Sequence, residues 1–127
     1  MTWALDLDGV IWLGDQPIAG AAAAVESLRR AGETVVFCTN NSSRPIGEVE
    51  HKLAQHGISA TGDVVSSAMA AATLVEPGER VLVCAGPGVA EALRERGALP
   101  VRDGQADAVV VGLHLDFDYG RLRAAAG

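Results

Sequence analysis

The stretch Trp3-Ala4-Leu5-Asp6-Leu7-Asp8-Gly9 decides the fold of this chain. Its first three residues form an apolar run that predicts a buried first strand. Side chains alternate along a strand, so Asp6 and Asp8 point the same way at its end. Two adjacent carboxylates repel each other, and a divalent cation between them removes that penalty. Gly9 allows a sharp turn close to a ligand. The stretch therefore indicates metal-assisted attack on a phosphorus centre.

The composition and net charge of the chain narrow the classes of molecule that it could bind. The chain has 127 residues, of which 49% are hydrophobic, and a formal net charge of -6. An acidic surface argues against nucleic acid or an anionic membrane as the main partner, so we expect neither. The first residues lack the basic segment of a signal peptide, and no apolar stretch is long enough to span a bilayer. We therefore expect a cytoplasmic protein that holds an anionic substrate through local groups.

The two cysteines, Cys38 and Cys84, are too few for a disulfide framework. Both lie in apolar runs, Val35-Val36-Phe37-Cys38 and Val81-Leu82-Val83-Cys84. We expect buried, reduced thiols at both positions, because free cysteine behaves as a small hydrophobic residue. No spacing of cysteine and histidine indicates a zinc site.

Strand and helix patterns alternate along the chain. The predicted strands cover residues 3–7, 34–38, 64–65, 81–85 and 108–113. The predicted helices cover residues 19–31, 45–57, 66–75, 89–96 and 119–126, and Ser66 is the predicted N-cap of the third. Residues 9–20 are predicted to be a loop, and Pro77-Gly78 is a turn suited to a domain boundary. This alternation predicts an α/β fold with a mostly parallel sheet covered by helices.

Polar side chains follow the first two long strands. Asp6 and Asp8 end the first strand, and Thr39-Asn40-Asn41-Ser42-Ser43-Arg44 follows the second. Ligands of open α/β sheets bind beyond the carboxyl ends of the strands. If the two strands are neighbours, carboxylates meet hydroxyl and amide groups at one edge. The arrangement predicts a phosphate site with a metal and a nucleophile.

These motifs resemble those of the haloacid dehalogenase superfamily of phosphohydrolases. Asp6-Leu7-Asp8-Gly9-Val10 matches its first motif, and Thr39-Asn40-Asn41 matches its second. The adjoining Ile11-Trp12-Leu13-Gly14 and Asn41-Ser42-Ser43-Arg44 are similar to one branch of it. That branch contains NagD, 4-nitrophenylphosphatase, phosphoglycolate and glycerol-phosphate phosphatases, and pyridoxal phosphatase.

The resemblance implies a domain organisation. Val109-Val110-Val111-Gly112-Leu113, followed by Phe117 and Tyr119, is similar to the cap domain of that branch. The implied fold is a Rossmann-like core with an incomplete parallel sheet over 1–78, plus the first part of an α/β cap over 79–127. The family places a lysine and an acidic pair after the cap, whereas the single lysine here is Lys52. We therefore expect an N-terminal fragment that is inactive alone.

The resemblance also implies a role for each site residue. The implied reaction is Mg²⁺-dependent hydrolysis of small phosphorylated metabolites, with Asp6 as the nucleophile that forms an aspartyl-phosphate. Asp8 would protonate the leaving alcohol and then activate water. Mg²⁺ would be bound by the Asp6 carboxylate and the Asp8 backbone carbonyl. The phosphoryl group would be held by residues of both motifs: Gly9, Thr39, Asn40 and Asn41.

Other interpretations compete with this one. The chain could be an inactive remnant that binds phosphate weakly or self-associates as a homo-oligomer, or a response-regulator-like receiver. Asp-x-Asp-Gly can also be a calcium-like turn, and Thr39–Ser43 can simply cap the start of a helix. Gly86-Pro87-Gly88 is similar to a nucleotide-binding loop, although Glu91 occupies the third glycine position. Asp118 is better explained as a helix N-cap than as part of a second Asp-x-Asp site.

Overall fold

The computed structural model describes residues 1–127 and divides them into two units. The first unit contains residues 1–39 and 46–65, and the second contains residues 40–45 and 66–127. Each unit has its own three-stranded sheet, and the strand pairs β1–β4, β6–β7 and β6–β8 described below are parallel. The predicted α/β class with a parallel sheet is confirmed. The predicted core and cap ranges, 1–78 and 79–127, stay a prediction.

The first unit has five strands and two helices. They are β1 (Thr2–Asp6), β2 (Trp12–Leu13), β3 (Gln16–Pro17), α1 (Ala21–Arg30), β4 (Thr34–Thr39), α2 (Ile46–Gln55) and β5 (Val64–Ser66). The main sheet has the order β1-β4-β5, and β1 pairs parallel to β4 with Asp6 opposite Cys38. Strand β2 pairs antiparallel to β3 as a short hairpin.

The core of the first unit lies between this sheet and its helices. Leu7, Phe37 and Leu53 are almost fully buried there, at 1%, 0% and 0% exposure. Val25 of α1 and Val49 of α2 join the same cluster. Both helices therefore turn their apolar face to the core, because apolar residues three and four positions apart share one face of a helix.

Three expectations for this unit are wrong. Strand β1 is exposed along most of its length, with Trp3 at 41%, because it is an edge strand of the sheet. Cys38 is exposed, because β4 directs Val35 and Phe37 to the core and alternation turns Cys38 away. The predicted loop over residues 9–20 contains the β2–β3 hairpin, which turns at Gly14 with φ 61°.

The second unit has three helices and three strands. They are α3 (Ser67–Ala72), β6 (Arg80–Cys84), α4 (Pro87–Glu95), β7 (Leu99–Val101), β8 (Ala108–Val111) and α5 (Tyr119–Ala126). The sheet has the order β7-β6-β8. Helix α3 packs against α4, and Val81, Val89 and Leu93 are central members of this core. Cys84 is buried as expected.

Strand β7 was not predicted, and two helix caps were. Its three residues include Pro100, which breaks the sequence pattern but is tolerated because β7 lies at an edge. The Ser66 hydroxyl accepts the Met69 N–H at 3.3 Å, and the Asp118 carboxylate accepts the Arg121 N–H at 2.8 Å. Both predicted N-caps are confirmed. None of the helices is long and apolar enough to cross a membrane.

Candidate active site

The two carboxylates of the first motif lie at the carboxyl end of β1. Asp6 is the last residue of the strand, and Asp8 follows two residues later. Both side chains belong to exposed residues, whereas Leu7 between them is only 1% exposed. Burial of Leu7 fixes the backbone here, because a fully buried leucine stabilises its position by about 1.5–3 kcal/mol. The buried Leu7 thus anchors the backbone that presents Asp6 and Asp8 at the surface.

A single tight turn follows the pair. The carbonyl oxygen of Leu7 accepts the Ile11 N–H at 2.9 Å, which is the spacing of one helical turn. The Gly9 N–H donates to the Trp12 carbonyl at 2.7 Å, and Gly9 has φ 84°. A side chain at that backbone conformation would be strained, so Gly9 is needed for the turn itself. The predicted sharp turn at Gly9 is confirmed.

One oxygen of each carboxylate accepts one hydrogen bond. The Leu7 N–H donates to Asp6 Oδ1 at 2.8 Å, and the Trp12 indole Nε1–H donates to Asp8 Oδ1 at 2.9 Å. The five ion pairs of the structure involve neither residue. The Oδ2 atom of each carboxylate has no hydrogen bond. Each side chain of the pair therefore has one oxygen, Oδ2, without a hydrogen-bond partner in the protein.

Thr39 lies at the same end of the sheet as Asp6. It is the last residue of β4, and the preceding Cys38 is directly opposite Asp6 in the parallel register. Thr39 is 7% exposed, which makes it a buried polar residue at the end of the strand next to β1. The structure thus brings Asp6 and Thr39, from the two sequence motifs, to one edge of the first sheet.

Asn40 and Asn41 follow Thr39 directly in the chain, and their packing belongs to the second unit. The Asn40 carbonyl accepts the Ser67 hydroxyl at 3.0 Å. Asn41 Oδ1 accepts both the N–H and the hydroxyl of Ser43, at 3.0 and 2.6 Å. This is the local pattern of an Asx turn, so the Asn41 side chain orders its own loop. Its predicted contact with a phosphoryl group stays a prediction.

Gly86-Pro87-Gly88, the N-cap and first two residues of α4, packs against backbone atoms of residues 42–44. The Gly88 N–H donates to the Ser43 carbonyl at 3.1 Å. A Cβ atom at Gly88 would lie 2.2 Å from the Arg44 carbonyl oxygen and 2.6 Å from that of Ser42. The glycine is thus required for the close approach of another backbone segment. This packing explains the glycines without a nucleotide, so the dinucleotide interpretation loses its support.

The acidic pair fits a magnesium ion in its donor chemistry. Mg²⁺ prefers oxygen ligands and is usually bound by one or two carboxylates, with water and phosphate oxygens completing the shell. Asp6 and Asp8 supply carboxylates without a cationic partner. The structure contains no group of three or more histidine, cysteine, aspartate or glutamate residues that could hold a metal ion. Asp6 and Asp8 as the metal ligands stay a prediction.

Sequence reasoning did not find the contacts of Trp12. Its side chain is 5% exposed, and the Lys52 ammonium lies 4.4 Å from the centre of its ring. The ring of His56 lies 5.8 Å away. Lys52 also donates to the Gly14 carbonyl at 2.7 Å. The i,i+4 spacing of Asp8 and Trp12 was the only available signal, and it has meaning only if residues 7–11 form a helical turn.

A family model described as haloacid dehalogenase-like hydrolase matches residues 3–98 of this chain. Among curated proteins, the chain is 40% identical over 129 residues to the D-glycerol 3-phosphate phosphatase of Mycobacterium tuberculosis. It is 37% identical over 125 residues to the acid sugar phosphatase of Staphylococcus saprophyticus. These alignments cover 96% and 95% of this chain, but 36% and 48% of the relatives. The chain thus spans less than half the length of either relative.

A solved structure shows the same fold. The glycerol phosphate phosphatase of Mycobacterium tuberculosis, crystallised in complex with magnesium, superposes with a TM-score of 0.90 at 36% identity. The superposition covers 98% of this chain and 40% of that one. The resemblance to the branch that includes glycerol-phosphate phosphatases is confirmed by these matches.

Proposed function

Since the chain belongs to the haloacid dehalogenase-like hydrolase family, we propose that it supplies the nucleophile and the general acid of a Mg²⁺-dependent phosphatase for small phosphate monoesters. The observation that carries the proposal is the exposed Asp6–Asp8 pair, which no cation neutralises. Two like charges held side by side repel each other unless a bound cation offsets the repulsion. A metal ion bound together with a phosphoryl group would do so.

In the first step, a carboxylate oxygen of Asp6 attacks phosphorus, and the ester P–O bond breaks. Oδ1 already accepts the Leu7 N–H, so Oδ2 is the oxygen better placed to attack or to bind metal. The departing alkoxide takes a proton from the Asp8 carboxylic acid. The products of this step are the alcohol and an aspartyl-phosphate, as in ordinary covalent catalysis.

In the second step, water attacks the phosphorus of the aspartyl-phosphate. Asp8, now ionised, accepts a proton from that water, and the bond between phosphorus and Asp6 breaks. Inorganic phosphate leaves, and both aspartates return to their starting forms. A bound Mg²⁺, held by the Asp6 carboxylate and the Asp8 backbone carbonyl, supplies charge neutralisation for the phosphoryl oxygens throughout.

Residues of both sequence motifs are assigned to hold the phosphoryl group. We assign the Thr39 hydroxyl, the Asn40 and Asn41 side chains, and the Gly9 backbone to this role. Thr39 is supported by its place at the end of β4, one residue beyond Cys38, which is the register partner of Asp6. The two asparagines rest on their position in the motif alone, since Asn41 Oδ1 also orders its own loop.

The substrate class follows from the relatives. One relative is a D-glycerol 3-phosphate phosphatase and another an acid sugar phosphatase, so we propose a small polyol or sugar phosphate as substrate. We propose a cytoplasmic location, where such metabolites occur. The acidic net charge of -6 favours local binding of the phosphate by metal and hydrogen bonds over binding by a basic surface.

The experiment uses a fusion in which residues 1–127 replace the matching part of the Mycobacterium tuberculosis relative. The fusion is assayed with Mg²⁺ on glycerol 3-phosphate and on 4-nitrophenyl phosphate. Asp8→Asn should slow the alkyl ester far more than the nitrophenyl ester, since nitrophenolate hardly needs a proton. Asp103→Asn, at an exposed aspartate of the second unit, is the matched control. Equal losses on both esters after Asp8→Asn would contradict the acid role.

One observation favours the second candidate, a chain that self-associates. Apolar side chains are exposed in and after β8, including Val111 at 69% and Leu115 at 99%. Contiguous exposed apolar surface is typical of association sites. The mass of the 127-residue chain in solution, measured across a concentration series, tests this candidate. A monomer at every concentration would rule it out.

A further inference from the structure

The side chain of Trp12 contacts the carboxylate of Asp8 directly. Its indole Nε1–H donates to Asp8 Oδ1 at 2.9 Å. An indole N–H can only donate, so the oxygen that it contacts must be an acceptor. We infer that Trp12 is a positioning residue: its hydrogen bond to Oδ1 fixes the rotamer of Asp8 and so determines where the second carboxylate oxygen, Oδ2, lies.

The tryptophan is itself held firmly. It is 5% exposed, and its N–H and carbonyl both bond within the turn, to the Leu7 carbonyl at 3.2 Å and the Gly9 N–H at 2.7 Å. His56 contacts the ring with a centroid distance of 5.8 Å. A donor on a rigid ring loses little entropy when it orients a partner, whereas Asp8 is an exposed residue that would otherwise sample several rotamers.

Lys52 adds a charge to this arrangement. Its ammonium lies 4.4 Å from the centre of the Trp12 ring, and its side chain is only 21% exposed. A cation on the ring face attracts π-electron density, which makes the indole N–H a better donor. Lys52 also donates to the Gly14 carbonyl at 2.7 Å, which ties the β2–β3 hairpin to α2. The single lysine of the chain thus supports the contact between Trp12 and Asp8.

The inference rests on the proposed function, since the acid role of Asp8 belongs to it, but its test needs no turnover. The chain has two tryptophans, Trp3 and Trp12, so ¹⁵N-labelled protein gives two indole signals that Trp3→Phe assigns. We expect the Trp12 indole hydrogen to exchange with solvent at least about tenfold more slowly than that of Trp3. Asp8→Ala should shift the Trp12 signal, whereas Asp6→Ala should not.

The orientation of Asp8 is measured in the same protein. Three-bond couplings to the Asp8 β-hydrogens should report one χ1 rotamer in the wild type and in Trp3→Phe. Trp12→Phe keeps an aromatic ring against Lys52 and His56 but removes the donor, so the couplings should average over several rotamers. A structural role in packing alone would leave them unchanged.

The result that would overturn the inference is equally specific. Averaged Asp8 couplings in the wild type, couplings unaffected by Trp12→Phe, or a Trp12 indole signal indifferent to Asp8→Ala would each refute it. If Trp12→Phe does not fold, the indole exchange rate and its response to Asp8→Ala decide, because Asp8 is exposed and its replacement spares the core. Loss of phosphatase activity in the fusion would count against the proposed function and leave these measurements intact.

Discussion

The segments that follow β1 and β6 both contain glycine, but only the segment after β1 leaves the strand end open. Each strand is followed by a segment that contains glycine: a turn at Gly9 in the first unit, and the start of α4 at Gly86-Pro87-Gly88 in the second. After β1, the turn leaves two carboxylates exposed and without a cation. After β6, the start of α4 packs against backbone atoms of residues 42–44, and the Gly88 N–H bonds to Ser43. A strand end is a candidate ligand site only where the chain has not already filled it.

The two glycines show the same difference. A Cβ atom at Gly9 would meet nothing within 4 Å, so this glycine serves the positive φ of 84° and leaves space beside it. At Gly88 the backbone is helical and the space is taken, with the nearest atom 2.2 Å from the ideal Cβ. One glycine thus permits an open turn, and the other permits close packing of two backbones.

The largest effect is expected at Asp6. Asp6→Asn keeps the shape of the side chain but removes the nucleophile and a metal charge, so turnover of the fusion should fall by more than about a thousandfold. Initial rates on glycerol 3-phosphate with saturating Mg²⁺ measure this. Asp103→Asn should retain the rate of the unmodified fusion. Turnover of Asp6→Asn within about tenfold of that rate would remove Asp6 as the nucleophile.

Gly88→Ala tests whether backbone atoms of residues 42–44 occupy the space next to Gly88 at the start of α4. The added methyl would overlap the carbonyl oxygens of Arg44 and Ser42, and overpacking of this kind costs about 1–3 kcal/mol. Urea unfolding of the 127-residue chain measures the loss. Gly47→Ala is the control, because a Cβ there has open space and alanine favours a helix by about 1 kcal/mol. Equal stability of the two variants would mean that residues 42–44 do not pack there.

Thr39→Ala sharpens the account of the open strand end. If the hydroxyl holds a phosphoryl oxygen, its loss should lower kcat/KM of the fusion by the equivalent of about 1.5–3 kcal/mol. Thr34→Ala, at the exposed first residue of the same strand, should leave kcat/KM unchanged. If Thr39→Ala instead lowers the melting temperature sharply and spares kcat/KM, Thr39 serves the start of the following loop and helix.

Lys52→Met gives the smallest expected effect. Methionine keeps much of the length and apolar character of the side chain. It removes the cation above Trp12, a contact worth about 0.5–1 kcal/mol, together with the hydrogen bond to the Gly14 carbonyl. The free energy of unfolding should fall by at least that amount, and Lys52→Arg should restore it. A Lys52→Met variant as stable as the wild type would show that the cation does not stabilise Trp12 or the turn that follows β1.

The sequence predicted the acidic pair because alternation along a strand is a local rule. Leu7 inward with Asp6 and Asp8 outward follows from three neighbouring residues. The helical period of 3.6 residues is equally local, and it places Val49 and Leu53 on the one face of α2 that is buried. Features set within a few residues of each other were therefore accessible without a structure.

Features set by distant parts of the chain were not accessible. The exposure of Cys38 depends on which face of β4 is covered, and apolar composition alone did not indicate it. Packing of residues 42–44 against Gly88 joins segments more than forty positions apart in the chain. The contact of Trp12 with Asp8 is local, yet it requires the helical turn after Leu7. The glycines of this segment led to the prediction of a loop there.

The central claim is that Asp6 is the residue that becomes phosphorylated. The fusion is mixed with glycerol 3-phosphate and Mg²⁺, quenched in acid within milliseconds, and digested for mass spectrometry. The account predicts one phosphate on Asp6 in the peptide that contains both aspartates, absent after Asp6→Asn and sensitive to hydroxylamine as an acyl phosphate. Turnover without any phosphate on Asp6, or a phosphate on Asp8 in its place, would contradict it.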